Sequence, residues 1–272
     1  MMSVKPSKGK YLIVIAGPTA VGKTKIGVSL AQAMNADIIS ADSRQFYKEI
    51  KIGTAAPTDT ELCEAKHHFV GQLSVKEEYN VHRYEKDVIA FLDSYFRNKD
   101  YALLVGGSGL FIDAVCRGID DLPDPDPVLR KNLIQLYESK GLGCLQDELR
   151  SLDPRALEMI DVANPKRIFR AIEICKSTGK PYSGFVSKLP KQRDFNILKI
   201  ALFLDRDVLF DRINTRVDKM LADGLEDEAR SLLPYRHFNS LNTVGYKELF
   251  SYFDGDLDYT TAIEKIKTHT RR

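Results

Sequence analysis

A glycine-rich segment near the N-terminus has the residue types and spacing of a phosphate-binding loop. Residues 17–24, GPTAVGKT, satisfy the pattern GxxxxGK[ST] and lie between an apolar run and a segment with helical spacing. In such a loop, backbone N–H groups and the positive end of the following helix dipole point at a phosphate. Lys23 is placed to reach a terminal phosphate and Thr24 to ligate Mg²⁺. The predicted phosphate-binding residues are Gly17, Pro18, Thr19, Ala20, Val21, Gly22, Lys23 and Thr24.

The loop predicts phosphate binding but leaves the reaction open. In a typical phosphate-loop NTPase, another apolar strand ends in an Asp that organises the metal. Here the apolar run of residues 102–105 ends in Gly106, Gly107 and Ser108 instead. An acid does follow a different apolar run, in the segment ISADSRQFY. From the residues alone, Asp42 is either a catalytic carboxylate or one that caps a turn, and both interpretations stay open.

Apolar runs alternate with helical patterns in the first half of the chain. The runs Tyr11–Ala16, Asp37–Ser40 and 101–105 predict strands buried on both faces. Residues 80–98 predict a helix whose apolar face contains Val81, Tyr84, Val88, Phe91, Leu92 and Tyr95. Because such alternation is typical of parallel sheets with right-handed crossovers, we predict an α/β phosphate-loop fold, with a central parallel sheet flanked by helices.

A change of composition at LPDPDP, residues 122–127, predicts the start of a second domain, because its prolines end both helices and central strands. From Val128 to about Lys188 the sequence predicts helices only, with Gly141 and Gly179 as C-terminal stops. A second break at residues 189–193 precedes the apolar run NILKIALFLD. We predict a catalytic core of residues 1–122 and 194–272 and an all-helical insertion domain of residues 123–193. One continuous α/β domain with a long helical stretch is the alternative.

The bulk composition excludes several classes of protein. The chain has 272 residues, 43% of them hydrophobic, which is enough to bury a sizeable core. With 40 Lys+Arg against 38 Asp+Glu, the net charge is +2, so a polyanion must be held by local basic clusters. The cysteines form no CxxC pair, which argues against a disulfide framework or a structural zinc site. The N-terminal apolar run is only about six residues long, too short for a membrane span. We expect a cytoplasmic monomer with no membrane partner.

Five motifs, in this order and spacing, resemble one known family. They are GPTAVGKT, SADSRQFY followed by KIGTAAP, LLVGGSGLF, RINTRVDKMLADGLEDEA, and NTVGYKEL. They make residues 12–272 similar to bacterial tRNA dimethylallyltransferases, also called tRNA isopentenyltransferases. The resemblance implies transfer of a dimethylallyl group from dimethylallyl pyrophosphate to the exocyclic amine of the adenosine that follows the anticodon on its 3′ side. The implied partners are this donor and the tRNA anticodon stem-loop, with Mg²⁺ as cofactor.

The resemblance also implies a role for each catalytic residue. The loop would hold the departing pyrophosphate, which accounts for the missing NTPase Asp. Lys23, together with Mg²⁺ on Thr24, would stabilise the negative charge that develops on this leaving group. Thr19 resembles the family's threonine near the bridging oxygen, and Arg216 resembles the arginine that grips the pyrophosphate from the other side. Asp42 would be the general base for the adenine amine, whose delocalised lone pair makes it a poor nucleophile.

Recognition of tRNA requires groups that bind phosphates and groups that hold an unstacked base. The resemblance and this requirement together predict the following tRNA-binding residues: Asp42, Ser43, Arg44, Gln45, Ser108, Arg130, Lys166, Arg167, Ile168, Phe169, Arg170, Asn242, Thr243, Val244, Gly245, Tyr246 and Lys247. Ser108 stands where the family usually has threonine, and Phe111 where it has tyrosine. Family members continue past the final TRR into a basic stretch that grips the anticodon arm. We therefore expect these residues alone to bind tRNA more weakly.

Three other functions fit parts of the pattern. A small-molecule kinase would use ATP at the same loop and needs a metal-organising Asp or an Arg-rich lid. An adenine-nucleotide prenyltransferase would share the loop and Asp42 but needs no basic insertion. A nucleotide-dependent RNA-binding switch would keep the loop and dispense with Asp42. On spacing alone, Arg216 and the basic cluster around Arg167 also fit solvated helix faces.

Overall fold

A computed structural model describes residues 9–120, 122–123, 126–186 and 190–271 of the chain. The chain divides into two compact units, one of Met1–Arg117 with Gln192–Arg272, and one of Gly118–Lys191. The predicted breaks include Asp124, Pro125 and Leu189, which lie outside the described residues. The insertion predicted for residues 123–193 overlaps most of the second unit, and its contact with tRNA stays a prediction.

The first unit contains a parallel five-stranded sheet. Its strands are β1 (Tyr11–Ala16), β2 (Asp37–Ser40), β3 (His67–His68), β4 (Tyr101–Gly106) and β5 (Asn196–Ala201), in the order β3-β2-β4-β1-β5. The predicted parallel sheet is confirmed, with β1 paired to β4 on one side and to β5 on the other. The sequence did not predict β3, because two residues carry no recognisable pattern. All the strands run the same way, so their carboxyl ends share one edge of the sheet, where open α/β sheets bind ligands.

Some helices belong to the first unit with the sheet, and others form the second unit. In chain order, the helices of the described residues are α1 (Lys23–Met34), α2 (Asp59–Glu64), α3 (Val81–Tyr95), α4 (Gly109–Arg117), α5 (Pro127–Lys140), α6 (Leu142–Leu152), α7 (Ala156–Met159), α8 (Pro165–Thr178), α9 (Arg206–Ala222), α10 (Leu225–Leu232), α11 (Tyr246–Phe253) and α12 (Tyr259–Thr270). Helices α5 to α8 belong to the second unit. None of the described helices is long and apolar enough to span a membrane.

Helix α3 shows how the amphipathic pattern positions the site. The side chain of Asn80 accepts a hydrogen bond from the backbone N–H of Arg83 at 2.9 Å and so caps the helix where the pattern begins. Tyr84, one turn along, is fully buried, and its hydroxyl donates to the carbonyl of Ser40 at 2.8 Å. Ser40 is the last residue of β2. The helix therefore fixes the strand end that immediately precedes Asp42.

The second unit has its own apolar core. Asp126 and Asn164 cap α5 and α8, each of which begins with a proline, while Gly141 and Gly179 end these helices with φ of 78° and 67°. The buried core residues are Leu133, Leu145, Leu149, Ala156, Ile168, Phe169, Ala171 and Ile172. Glycine is favoured at both stops because it adopts positive φ without strain, as the sequence predicted.

Candidate functional site

The phosphate-loop segment lies at the carboxyl edge of the sheet, between β1 and α1. Its backbone is left-handed at Ala20 and Gly22, with φ of 62° and 104°, and the second of these is the residue before α1. A Cβ on Gly17 would lie 2.8 Å from the carbonyl oxygen of Leu202, so only glycine fits where the loop passes the end of β5. The N-terminus of α1, whose first N–H groups have no partner within the helix, therefore lies at this edge of the sheet.

A cavity of ≈ 840 Å³ opens above this edge, and its described lining belongs to the first unit. Its volume falls in the range of sites for small molecules. The lining includes four residues predicted to be catalytic, which are far apart in sequence: Thr19, Lys23, Asp42 and Arg216. It also includes Ala20, Gly22, Thr24 and Gln45 from the predicted sets. The fold thus brings the predicted catalytic residues to one site.

Two cationic side chains, those of Lys23 and Arg216, contact the phosphate loop. The Lys23 ammonium donates to the carbonyl oxygens of Gly17 and Pro18, at 2.9 Å and 2.7 Å. The Arg216 guanidinium, on α9, donates to the Thr19 hydroxyl at 3.0 Å. Burial lowers the pKa of Lys23, and the nearby Arg216 charge adds to this effect. Burial also lowers the pKa of Arg216. Both cations are partly buried, and an anionic ligand that contacts them would offset the loss of hydration.

Asp42 is held by a short turn after β2. One carboxylate oxygen, Oδ1, accepts a hydrogen bond from the backbone N–H of Arg44 at 3.0 Å. Among the described residues, no hydrogen bond reaches the other oxygen. The negative charge of Asp42 opposes the burial effect at Lys23 by raising its pKa, and at Arg216 the charges of Glu61 and, to a smaller extent, Asp42 do the same. Asp42 thus lies close enough to both cations for its charge to act on them.

The turn around Asp42 is packed against the end of β4. The Ser108 hydroxyl accepts a hydrogen bond from the backbone N–H of Ser43 at 3.1 Å. A Cβ on Gly106 would lie 2.2 Å from the carbonyl oxygen of Ala41, so the two strand ends could not approach with any other residue there. The Phe111 ring packs against Phe46 with ring centroids 5.6 Å apart, inside the core. These contacts account for Gly106, Ser108 and Phe111 in the segment where an NTPase would have its acidic residue.

One side of the cavity is formed by residues that sequence reasoning did not assign. Residues 51–57, here called the pocket wall, contribute Lys51, Ile52, Thr54, Ala55, Ala56 and Pro57 to the lining. The family motif KIGTAAP covers these positions and could have indicated that they belong to the site. Leu62, Val70 and Met220 add further apolar surface. The cavity therefore has a cationic end at the loop and an apolar side beyond it.

His67 is a second unpredicted lining residue. Its Nδ1 lies 2.8 Å from the carbonyl oxygen of Ala65, a contact in which Nδ1 carries the proton. Burial lowers the pKa of the His67 imidazole. The ring therefore favours its neutral form.

Several predicted tRNA-binding residues make contacts within the chain. The Arg44 guanidinium donates to the carbonyl oxygens of Asn239, Ser240 and Asn242, at 2.8, 3.1 and 3.3 Å. Tyr246 is fully buried in the core of the first unit, so its side chain does not reach the surface, and its place in the tRNA-binding segment stays a prediction. The rest of the segment comprises Asn242 and Lys247, which are exposed, Thr243 and Val244, which are half-buried, and Gly245, which is buried with φ of 99°.

In the second unit, too, some predicted tRNA-binding residues are buried and others are exposed. Ile168 and Phe169 lie in its apolar core, 0% and 6% exposed, so their side chains pack inside the unit, and their role in binding tRNA stays a prediction. Lys166 and Arg167 are exposed. Arg130 donates through Nη2 to the buried Glu173 carboxylate at 2.7 Å. Arg170 is also paired with that carboxylate, at 3.7 Å, and donates to the carbonyl of Pro123. One buried glutamate thus orders two of the four cations of this cluster.

Comparisons with known proteins identify one family. Residues 45–272 match the sequence model of the family described as IPP transferase. A tRNA dimethylallyltransferase 1 of Phocaeicola vulgatus and a tRNA dimethylallyltransferase of Christiangramia forsetii are each 50% identical, covering 96% of this chain and 87% of the relative. The solved tRNA isopentenylpyrophosphate transferase of Bacillus halodurans is 37% identical, with a TM-score of 0.69, over 97% of this chain and 84% of that one. A eukaryotic dimethylallyltransferase described as acting on tRNA is 27% identical, with a TM-score of 0.76, over 96% and 67%. The chain belongs to the IPP transferase family.

Proposed function

We propose that this protein transfers the dimethylallyl group of dimethylallyl pyrophosphate to the exocyclic amine of the adenosine 3′-adjacent to the anticodon in tRNA. The observation that carries the proposal is the convergence of Thr19, Lys23, Asp42 and Arg216 on one cavity. A pair of cations at one end suits a diphosphate, and a carboxylate beside them suits a proton acceptor. The names of the 50% identical relatives support the same reaction.

The residues account for the reaction as follows. The bond between the allylic carbon and the bridging oxygen breaks, and pyrophosphate leaves with the electron pair. Lys23 and Arg216 stabilise that charge, and the Thr19 hydroxyl, which accepts from Arg216, can still donate a hydrogen bond to the bridging oxygen. A carbon–nitrogen bond forms to the adenine amine, and Asp42 takes the amine proton. The adenosine must first leave its stack to reach this position.

Mg²⁺ suits the donor set only as an ion carried by the pyrophosphate. The Thr24 hydroxyl lines the cavity and would hold it. Across the described residues, no three His, Cys, Asp or Glu side chains are grouped to form a metal cage. Mg²⁺ in phosphate sites commonly uses one or two protein oxygens together with phosphate oxygens and water. When bound, the ion would neutralise charge on the leaving pyrophosphate.

Binding of tRNA by the exposed Lys166 and Arg167, by Arg130 and Arg170, and by the segment around Lys247 is part of the same proposal. The buried Glu173 carboxylate orients Arg130 and Arg170, and the N–H groups that it does not bind can donate to phosphate oxygens. We further propose a monomer.

The test is a transfer assay with radiolabelled dimethylallyl pyrophosphate and two anticodon stem-loops, one with adenosine at the target position and one with guanosine. We expect label only on the adenosine stem-loop, with one pyrophosphate released per transfer. Free AMP, offered as a competing acceptor, should not accept the group. Preference for AMP would refute tRNA as the acceptor, and ATP turnover without prenyl transfer would select the kinase alternative.

A further inference from the structure

Glu228, on α10, holds the pocket wall from outside the cavity. Its Oε2 accepts a hydrogen bond from the backbone N–H of Ile52 at 2.9 Å, and its Oε1 accepts one from the backbone N–H of Gly53 at 3.0 Å. Oε1 also accepts the Tyr246 hydroxyl proton at 2.6 Å. One carboxylate therefore joins the segments KIGTAAP, GLEDEA and NTVGYKEL, which are distant in sequence.

The Tyr246 side chain packs against Gly53 of the pocket wall. A Cβ on Gly53 would lie 2.4 Å from the Tyr246 hydroxyl oxygen, so glycine is needed for the wall to approach the ring. Burial raises the pKa of Tyr246, and the negative charge of Glu228 raises it further. The phenol therefore stays protonated and remains a donor to the carboxylate.

The wall is also held from its other side, by Gln45. The amide nitrogen of Gln45 donates to the carbonyl oxygens of Thr54 and Ala55, at 3.2 Å and 3.1 Å. Ala55 itself has a left-handed backbone, with φ of 46°, a conformation that a non-glycine residue keeps only when its surroundings enforce it. Glu228 and Gln45 thus fix a strained segment between them.

The wall supplies the apolar side of a cavity whose other end is cationic. Under the proposed function, the pyrophosphate of the donor lies between Lys23 and Arg216, and its hydrocarbon chain extends along Ile52, Ala55 and Ala56. The position of these apolar groups then sets the length and width of the space for that chain. Glu228 does not line the cavity and acts through the wall.

We propose that Glu228 is a positioning residue that sets the selectivity of the enzyme for the length of the allylic donor. This inference rests on the proposed function. In Glu228→Gln, three donors face a side chain with one acceptor oxygen and one amide group, so at least one backbone N–H of the wall loses its partner. The packing volume is preserved. We expect the wall to loosen and to admit a longer chain.

The experiment compares dimethylallyl pyrophosphate with geranyl pyrophosphate, using the same anticodon stem-loop as acceptor. The measured quantity is the ratio of the two kcat/KM values for each enzyme preparation. Since both values come from one preparation, the fraction of folded enzyme cancels. We expect the ratio to fall about tenfold in Glu228→Gln, the usual discrimination that a fitted apolar pocket provides per methylene group.

Glu226→Gln is the matched control, because it removes the same charge from the same helix. Glu226 pairs only with Arg230 at the surface among the described residues, at 2.7 Å, so its ratio should stay within about twofold of wild type. Tyr246→Phe is a second variant in case Glu228→Gln does not fold, because it removes one of the three hydrogen bonds to Glu228. We expect an intermediate fall in its ratio.

The outcomes separate this inference from the function on which it rests. A wild-type protein that transfers neither group refutes the proposed function, and the inference with it. If wild type transfers dimethylallyl and Glu228→Gln loses rate while its donor ratio is unchanged, Glu228 is merely structural and the inference is overturned. An unchanged ratio in Tyr246→Phe, should that be the only folded variant, overturns it equally.

Discussion

Replacing Asp42 by asparagine tests the chemistry of the site with little change to its structure. Among the described residues, the carboxylate of Asp42 makes one hydrogen bond, accepted by Oδ1 from the Arg44 N–H at 3.0 Å, and the asparagine carbonyl oxygen can accept the same bond. The turn should therefore keep its form. What is lost is a carboxylate that can take a proton from the attacking amine.

The size and direction of the effect follow from the neighbours of Asp42. Loss of a positioned general base costs about 10²–10⁴ in rate, or about 2.7–5.4 kcal/mol in activation free energy. The charge of Asp42 also partly offsets Lys23 and Arg216, as its effect on their pKa values indicates. Its removal leaves these cations more available to the pyrophosphate. We therefore expect kcat to fall by that factor while the KM for dimethylallyl pyrophosphate stays the same or decreases.

Steady-state transfer to the adenosine stem-loop, at varied donor concentration, measures both constants. Asp223→Asn is the matched control, since this carboxylate lines the same cavity but is bound to Lys219 at 2.8 Å. Its kcat should stay within about twofold of wild type. A decrease below threefold in Asp42→Asn, with stem-loop binding intact, would remove Asp42 from the mechanism. A KM that rises in parallel would show instead that Asp42 contributes to binding.

Three further substitutions test other parts of the site. Arg216→Gln removes a charge-assisted contact worth about 1.5–3 kcal/mol, so kcat/KM for the donor should fall about 10- to 150-fold, and an unchanged value would make Arg216 a solvated helix residue. Because burial lowers the pKa of Lys23, this side chain loses its charge below the ordinary lysine pKa of about 10.4, and donor binding in wild type should weaken as pH rises through that range. Lys23→Arg keeps its charge, so its donor binding should not show this decline. The same decline in both proteins would contradict the assignment. Gly106→Ala places a Cβ 2.2 Å from the Ala41 carbonyl oxygen and should lower Tm by about 3–10 °C in a thermal scan. The Cβ of the control, Gly109→Ala, would meet nothing within 4 Å, so its Tm should not fall. Equal Tm values for the two variants would refute the close contact.

The sequence was most informative where function depends on neighbours along the chain. The spacing of Gly17, Gly22 and Lys23 determines a loop whose geometry is local, and the structure places it between β1 and α1. The apolar runs likewise predicted β1, β2 and β4, because strands buried on both faces need continuous apolar residues. Asp42 could be located at a strand end, but its closeness to Arg216 came only from the family resemblance.

Long-range contacts could not be predicted in this way. The bond between Glu228 and the backbone of Gly53 joins residues 175 positions apart, and no local pattern indicates it. Tyr246 was expected at an RNA surface because its motif matched the family, whereas the tertiary packing buries it. The burial of Ile168 and Phe169, by contrast, could have been predicted from the sequence. Together with Ile172 they form the apolar side of α8, a spacing typical of a helix face that packs in a core.

The two halves of the anion site are made at different times. The phosphate loop and Asp42 are encoded before the helical unit of residues 118–191, whereas β5 and Arg216 are encoded after it. At ordinary rates of synthesis, translating that unit takes roughly 4 to 15 s. During this interval β1 has no partner on the side that β5 later covers, so its unpaired amides and carbonyls are open to any extended peptide. Each newly made molecule therefore passes through a period in which β1 is a free edge of the sheet, accessible to a chaperone or to an extended segment of another nascent chain.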